Sequence, residues 1–186
     1  MTDPVYVVGV GADGPASLTP RAMALVAGAD QLVGGERLLA MFPASKAERV
    51  VLRSDLGVAI SAIKAHLGRR RVVVLASGDP GFFGIAKRLV TELGKERVEI
   101  FPNLSSVQLA FARIKESWED ARFVSVHGRP LQGLAAIVRR SRKIAILGDA
   151  TNTPAAIARA LLAGGVDDYR AYLCEDLGAA EERVRR

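Results

Sequence analysis

The chain has 186 residues, 49% hydrophobic and 25% charged, the balance of a globular protein with room for one large domain or two small lobes. No apolar run approaches the ~18 residues of a membrane-spanning helix, and Cys174, the single cysteine, excludes an internal disulfide and a cysteine-based zinc site. The N-terminal Met1-Thr2-Asp3-Pro4 lacks the basic and apolar regions of a secretory leader, so a reducing cytoplasm is the expected setting.

The net charge is +6, from 26 Lys and Arg against 20 Asp and Glu, and favours an anionic partner. Nucleic acid and a polycarboxylate small molecule both qualify. Aromatic residues are only 5% and do not interleave with the basic clusters, which argues against a stacking platform for single-stranded nucleic acid. The clusters Arg69-Arg70-Arg71 and Arg139-Arg140 with Arg142-Lys143 each precede a short apolar run, where cations suit a helix C-terminus.

In chain order, an apolar strand at 5–10 leads to a helix at 20–29, opened by Thr19 as cap and Pro20 at the first helical position. A helix at 36–41, a strand at 49–52 and a helix at 56–67, with Asp55 as its cap, come next. Strands at 72–76, 98–101, 122–126, 144–147 and 170–174 then alternate with helices at 83–93, 105–113, 131–139 and 154–163. Gly94 and Gly164-Gly165 suit helix C-termini. The alternation predicts an α/β fold with a largely parallel sheet, whose ligands gather at the carboxyl ends of the strands. Lys115-Glu116-Ser117-Trp118-Glu119-Asp120 interrupts the pattern, so lobes of 1–114 and 115–186 are expected.

The first strand runs into Gly9-Val10-Gly11-Ala12-Asp13-Gly14, a literal G-x-G-x-x-G, with Asp30 about 20 residues further on. That spacing suggests a nicotinamide or flavin oxidoreductase. Such a loop needs its helix to start within the glycines, so that N–H groups meet pyrophosphate. Pro15 and the delayed Thr19-Pro20 start argue against it, and the loop reads instead as a long flexible turn.

Four segments taken together carry a more specific pattern: Val7-Val8-Gly9-Val10-Gly11-Ala12-Asp13-Gly14-Pro15, Ser77-Gly78-Asp79-Pro80-Gly81-Phe82-Phe83-Gly84, Pro102-Asn103-Leu104-Ser105-Ser106-Val107-Gln108-Leu109-Ala110-Phe111-Ala112-Arg113, and His127-Gly128-Arg129. A fifth is Cys174-Glu175-Asp176-Leu177-Gly178 with Glu181-Glu182-Arg183-Val184. In this order they resemble the tetrapyrrole methylase family over nearly the whole chain. Ser-Ser-Val-Gln-Leu-Ala-Phe-Ala-Arg, Trp118 and His-Gly-Arg resemble its C5-methylating branch, the precorrin-6Y C5,15-methyltransferases and their cobalt-precorrin counterparts.

The resemblance implies a two-lobed class III methyltransferase fold with S-adenosylmethionine (SAM) in a cleft between the lobes, and a reduced polycarboxylate tetrapyrrole as substrate. It implies a cytoplasmic homodimer of cobalamin synthesis, with no nucleic-acid or membrane partner and no metal. SAM contacts carry over to Ala12, Gly78, Asp79, Phe82, Ser105, Ser106, Leu131, Thr151 and Cys174, and substrate contacts to Gly11, Asp13 and Arg129. The pattern departs at Asp13, which precedes Gly14 where the family usually has Gly-Asp, and at Asn103, which stands in place of a glycine and suits a positive-φ turn. A closing strand pair is expected beyond Glu-Arg-Val, so the chain reads as truncated or as the N-terminal half of a bifunctional protein.

The residues allow simpler roles too. Asp79 could cap the helix after it, and Ser105 and Ser106 the helix they open. Glu175 could anchor neighbouring backbone. C-methylation at ring carbon 5 must lose or relocate a proton. His127 is the candidate base, since His66 reads as a mid-helix surface residue; a structural turn with a hydrogen-bonded imidazole is its bland alternative. Arg129 suits a substrate carboxylate or a rim salt bridge. Methylases of ribosomal RNA or diphthine type remain alternatives within the fold, and an oxidoreductase or a basic nucleic-acid module outside it.

Overall fold

The computed structural model describes residues 3–53 and 55–186. They form two compact units, one ending at Ser106 and one running from Val107 to Arg186. The sequence pattern set the division at 114; the helix that starts at Ser106 falls instead with the second unit.

The first unit is a parallel five-stranded sheet in the order β3-β2-β4-β1-β5. Its strands are β1 (Val5–Val10), β2 (Gln31–Gly34), β3 (Glu48–Val51), β4 (Val72–Ser77) and β5 (Val98–Phe101). Alternation along β1 and β4 divides the core. Val8, Val10, Val73 and Leu75 face α1 (Pro20–Ala27) and α2 (Glu36–Ala40), whereas Val5, Val7, Val72 and Val74 face α3 (Leu56–His66) and α4 (Ala86–Leu93). Both sheet faces are thus covered, as parallel strands require. Each buried Val or Leu is worth ~1.5–3 kcal/mol, against ~0–1 kcal/mol for an exposed ion pair such as Arg70 with Glu48. Burial therefore sets the fold.

Caps behave as the sequence predicts. Thr19 accepts from the Ala22 amide and Asp55 from the Gly57 amide, and Gly94 ends α4 at φ 91°. The basic clusters lie where α3 gives way to β4 and, in the second unit, where a helix ending at Arg139 gives way to a strand at Ile144.

Several elements differ from the sequence reading. Strand β2 went unread because its four residues lie between Asp30 and Gly34-Gly35 and are buried on both faces, which leaves no alternation. Helix α4 starts at Ala86 and not at 83, since Phe83 adopts φ 53° and the Ala86 amide closes on the Pro80 carbonyl. His66 is the last residue of α3, not a mid-helix one, with Nε2 4.0 Å from Glu48.

The second unit contains α5 (Ser106–Ile114), whose first residue is the boundary residue, and a parallel pair β6 (Arg122–Ser125) and β7 (Ile144–Leu147). Helices α6 (Leu134–Arg139) and α7 (Pro154–Ala163) pack with this pair around Val126, Leu134, Val138 and Val166. Helix α6 begins three residues later than read, after Gly133 in the left-handed region at φ 80°. The strand read at 170–174 is β8 (Leu173–Glu175), paired antiparallel with an unread β9 (Arg183–Arg185) whose charged, exposed residues hide it.

Gly9 is the tightest position of the first unit. A Cβ there would lie 2.1 Å from the Gly78 carbonyl oxygen and 2.9 Å from the Asn103 amide. Gly9→Ala should therefore destabilise the protein by ~2 kcal/mol or more, whereas Gly35→Ala, with open space around it, should change stability by less than ~1 kcal/mol. Urea unfolding of both variants checks this; equal losses would contradict it.

Candidate functional site

Three loops of the first unit follow adjacent strands at the carboxyl edge of the sheet: Gly11-Ala12-Asp13 after β1, Gly78-Asp79-Pro80 after β4, and Pro102-Asn103-Leu104-Ser105 after β5. The loops after β4 and β5 meet above the end of β1. A Cβ on Gly78 would lie 3.0 Å from the Leu104 carbonyl oxygen and 3.2 Å from Ser105 Cα. The Gly78 amide donates to the Val10 carbonyl at 2.8 Å, and its φ of 62° lets the chain turn there.

The glycine loop is pinned, contrary to the flexible turn read from the sequence. The Gly11 amide donates to Ser17 Oγ at 2.8 Å, and that hydroxyl donates to the Gly14 carbonyl at 2.6 Å. Asn103 Nδ2 donates at 3.1 Å to the Gly9 carbonyl, the Ser17 carbonyl and Ser17 Oγ. Asn103 is not among the positive-φ residues. Its place is set by this side-chain clamp, not by the left-handed turn that the sequence suggested.

The dinucleotide reading fails on the same geometry. Residues 14–17 form a 3-10 turn before α1, whose Ala22 amide donates to the Thr19 hydroxyl and whose first residue is proline. Asp30 precedes β2, at the amino end of that strand, and its carboxylate accepts from the Arg71 amide at 2.8 Å. It is far along the strand from where a ribose-binding acid would stand.

Ala12 and Asp13 are exposed, and their backbone N–H groups, with that of Asp79, find no acceptor among the described residues. Asp79 does not cap α4; its carboxylate accepts from the Gly81 amide at 2.8 Å and folds the loop on itself. Phe82 is half-buried and packs edge-on against Phe83 at 4.8 Å. Ser105 is buried just ahead of α5, and Ser106, its first residue, is exposed. Free backbone donors and small residues at a strand-end edge suit a nucleoside held mainly through backbone groups. The chemistry of this donor set fits SAM.

Within the second unit, the loops after β6 and β7 are tied together. Asp149 accepts from the amides of Gly128 (2.6 Å), Thr151 (2.8 Å) and Asn152 (2.6 Å). Asn152 Nδ2 returns to the carbonyls of Val126 and Arg129 at 2.6 and 2.8 Å. His127 is exposed, and its ring makes no hydrogen bond among the described residues, so the hydrogen-bonded imidazole of the bland reading is not formed. Arg129 donates to the Ser125 carbonyl at 3.4 Å and forms no ion pair among the described residues, where the rim salt bridge is thus not made. Leu131 is partly buried against the core and Thr151 is exposed in its turn.

Cys174 is a free, half-buried thiol on β8, and burial pushes its pKa up, away from nucleophilic use. The backbone anchor beside it is Glu182, not Glu175. Its carboxylate accepts from the Gly178 amide at 2.6 Å and from Arg113 at 2.5 and 3.1 Å. Asp149, Asn152 and Glu182 were invisible to spacing arguments, because Gly128, Val126, Arg129 and Arg113 are brought to them only by folding.

The amides of Asn152 and Gly128 hold the Asp149 carboxyl below the usual aspartate range, with burial opposing them. A depressed carboxylate stabilises the fold above its unfolded pKa, ~3.9, and loses that contribution as pH falls through its folded value. Asp149→Asn should therefore melt below wild type at neutral pH, with the gap closing as pH drops below the usual aspartate range. A gap constant with pH would contradict this.

Comparison with known proteins agrees with the fold and with the order of the loops. The family described as Tetrapyrrole (Corrin/Porphyrin) Methylases matches residues 4–186. A cobalt-precorrin-7 C(5)-methyltransferase of Salmonella typhimurium is 41% identical over 180 residues, covering 96% of this chain and 87% of that one. A decarboxylating precorrin-6Y C(5,15)-methyltransferase of Sinorhizobium sp is 35% identical over 96% of this chain, but only 43% of its own length is matched. The crystal structure of a precorrin-6Y methylase from Archaeoglobus fulgidus superposes with a TM-score of 0.70 at 28% identity, covering 98% of this chain and 88% of that one. The chain therefore belongs to the tetrapyrrole (corrin/porphyrin) methylases.

Proposed function

We propose that the protein is a SAM-dependent C-methyltransferase of corrin-ring synthesis that methylates carbon 5 of a reduced, polycarboxylate tetrapyrrole of precorrin-6Y type. The observation that carries this reading is the 41% identity, over nearly the whole chain, to a relative named for C(5) methylation. The longer C(5,15) relative shares only 43% of its length with this chain. The shared part is thus the part common to enzymes named for C5 alone. A cytoplasmic homodimer accompanies the reading.

SAM, when bound, supplies a methyl group on a sulfonium whose departure needs no acid or metal. The chain's own work is then to position and to exclude water. In this reading the free N–H groups of Ala12 and Asp79 hold the nucleoside, and Phe82, Ser105 and Ser106 shape its seat. Leu131, Thr151 and Cys174 are assigned the remaining SAM contacts. Gly11 and Asp13 on the glycine loop, and Arg129 after β6, are assigned the substrate contacts. Arg129 offers a fork of donors to a carboxylate. His127, exposed and with an unbonded ring, accepts the proton that leaves the methylated carbon.

Calorimetry with S-adenosylhomocysteine and with NAD tests the cofactor class. Micromolar binding of the nucleoside and none of NAD is expected, and the reverse would sink the reading. Ser106→Trp and Asp79→Leu should each weaken nucleoside binding at least tenfold while the circular dichroism spectrum stays unchanged; wild-type affinity would remove both residues from the site. His127→Ala should slow turnover about 100-fold or more with an unchanged melting temperature. Normal turnover with a lowered melting temperature would make the residue structural.

A further inference from the structure

Two residues at the carboxyl edge of the first unit are left unexplained by the SAM-binding loops. Phe83 is a bulky residue at φ 53°, and it is 48% exposed. That backbone region disfavours L side chains, and a surface phenylalanine gains little burial in return. Strain of this kind persists where the surroundings over-determine it. Here the Phe82 amide closes on the Asp79 carbonyl and the Ala86 amide on the Pro80 carbonyl, while a Cβ on the next residue, Gly84, would lie 2.4 Å from the Pro80 oxygen. The loop therefore holds the ring outward.

The second residue is Arg37, exposed in α2, with Nη2 3.4 Å from Ser77 Oγ at the end of β4. Arg21, Arg53, Arg70, Arg71 and Arg88 all stand near carboxylates. Arg37, like Arg49, Arg69 and Arg97, forms no ion pair among the described residues, and its hydrogen-bond partner among them is that serine. Leu104, 55% exposed, adds apolar surface on the same stretch, since its carbonyl presses on Gly78. Arg37, from α2, thus reaches the first residue of the stretch, Ser77 to Ala86, that carries the exposed Phe83 ring.

We propose that Arg37 and Phe83 are substrate-specificity residues: the Phe83 ring packs on an apolar face of the reduced macrocycle, and Arg37 takes one of its peripheral carboxylates. This rests on the reading of the protein as a tetrapyrrole methyltransferase, and it adds two residues to which the family motifs assign no role. A macrocycle with apolar faces and a rim of carboxylates matches the pair. The ring supplies sequence-independent stacking surface, and the guanidinium supplies a charge-assisted fork.

The test uses the intact chain and uroporphyrin III, a planar tetrapyrrole with a carboxylate rim, with S-adenosylhomocysteine titrated in parallel. Arg37→Ala should weaken uroporphyrin binding about tenfold and flatten its salt dependence, with Arg37→Lys recovering part of the loss. Phe83→Gly should weaken uroporphyrin binding by a similar factor and raise the melting temperature by a few degrees, because glycine relieves the positive φ. Nucleoside binding should stay within twofold of wild type in every variant. Unchanged uroporphyrin affinity in the variants overturns the proposal, as does a parallel loss of nucleoside binding, or a wild-type protein that binds the nucleoside and no uroporphyrin. A wild-type protein that binds neither ligand overturns the methyltransferase reading itself.

Discussion

The first unit depends on a side chain that is not there. Gly9 lies one residue before the end of β1, and the Gly78 carbonyl occupies the space that any Cβ would take. That vacancy lets the loop after β4 fold over β1 until the Gly78 amide meets the Val10 carbonyl. It also lets Asn103 reach back from the loop after β5 to the Gly9 carbonyl and to Ser17. Three loops that the sequence spreads from Gly11 to Ser105 become one edge, held by backbone contacts and one amide side chain. A dinucleotide fingerprint uses its glycines to admit phosphate; here two of them, Gly9 and Gly11, admit the protein's own backbone and side chains.

This architecture suits the chemistry. Methyl transfer from a sulfonium asks for orientation and dryness more than for acids, metals or nucleophiles. The charged groups that are strongly engaged, Asp149 and Glu182, accept from main-chain amides and hold loops in place. The N–H groups of Ala12, Asp13 and Asp79, without an acceptor among the described residues, and the guanidinium of Arg37, which reaches Ser77, lie at the strand-end edge where a ligand of the parallel sheet belongs. The net positive charge of the chain is therefore only loosely a statement about substrate, because Arg70, Arg71 and Arg139 serve Glu48, Asp3 and the Gly164 carbonyl.

Much of the fold could be read from local pattern. The alternation of Val5 to Val10 divides cleanly between two cores, and Thr19, Asp55 and Gly94 act at helix ends through their own backbone neighbours. Strand β2 could not be read, because a strand buried on both faces and four residues long has no period. The site was legible as a set of turns, since the glycines and Ser-Gly-Asp-Pro mark them. What those turns do to one another was not. Asn103 looked like a substitute for glycine and proved to be a clamp across 94 residues of sequence. Phe83 carries its meaning in a backbone angle, and Glu182 in a partner 69 residues away; neither is encoded in spacing.

Methyl transfer to a single ring carbon is the reaction proposed for this chain. The most direct measurement is carbon-13 NMR of the tetrapyrrole recovered after incubating the protein with its reduced corrin precursor and SAM labelled in the methyl group. One labelled methyl bonded to carbon 5, with S-adenosylhomocysteine formed in equal amount, is the result the account predicts. Label remaining on the donor, or appearing at carbon 15 or any other ring position, would contradict it.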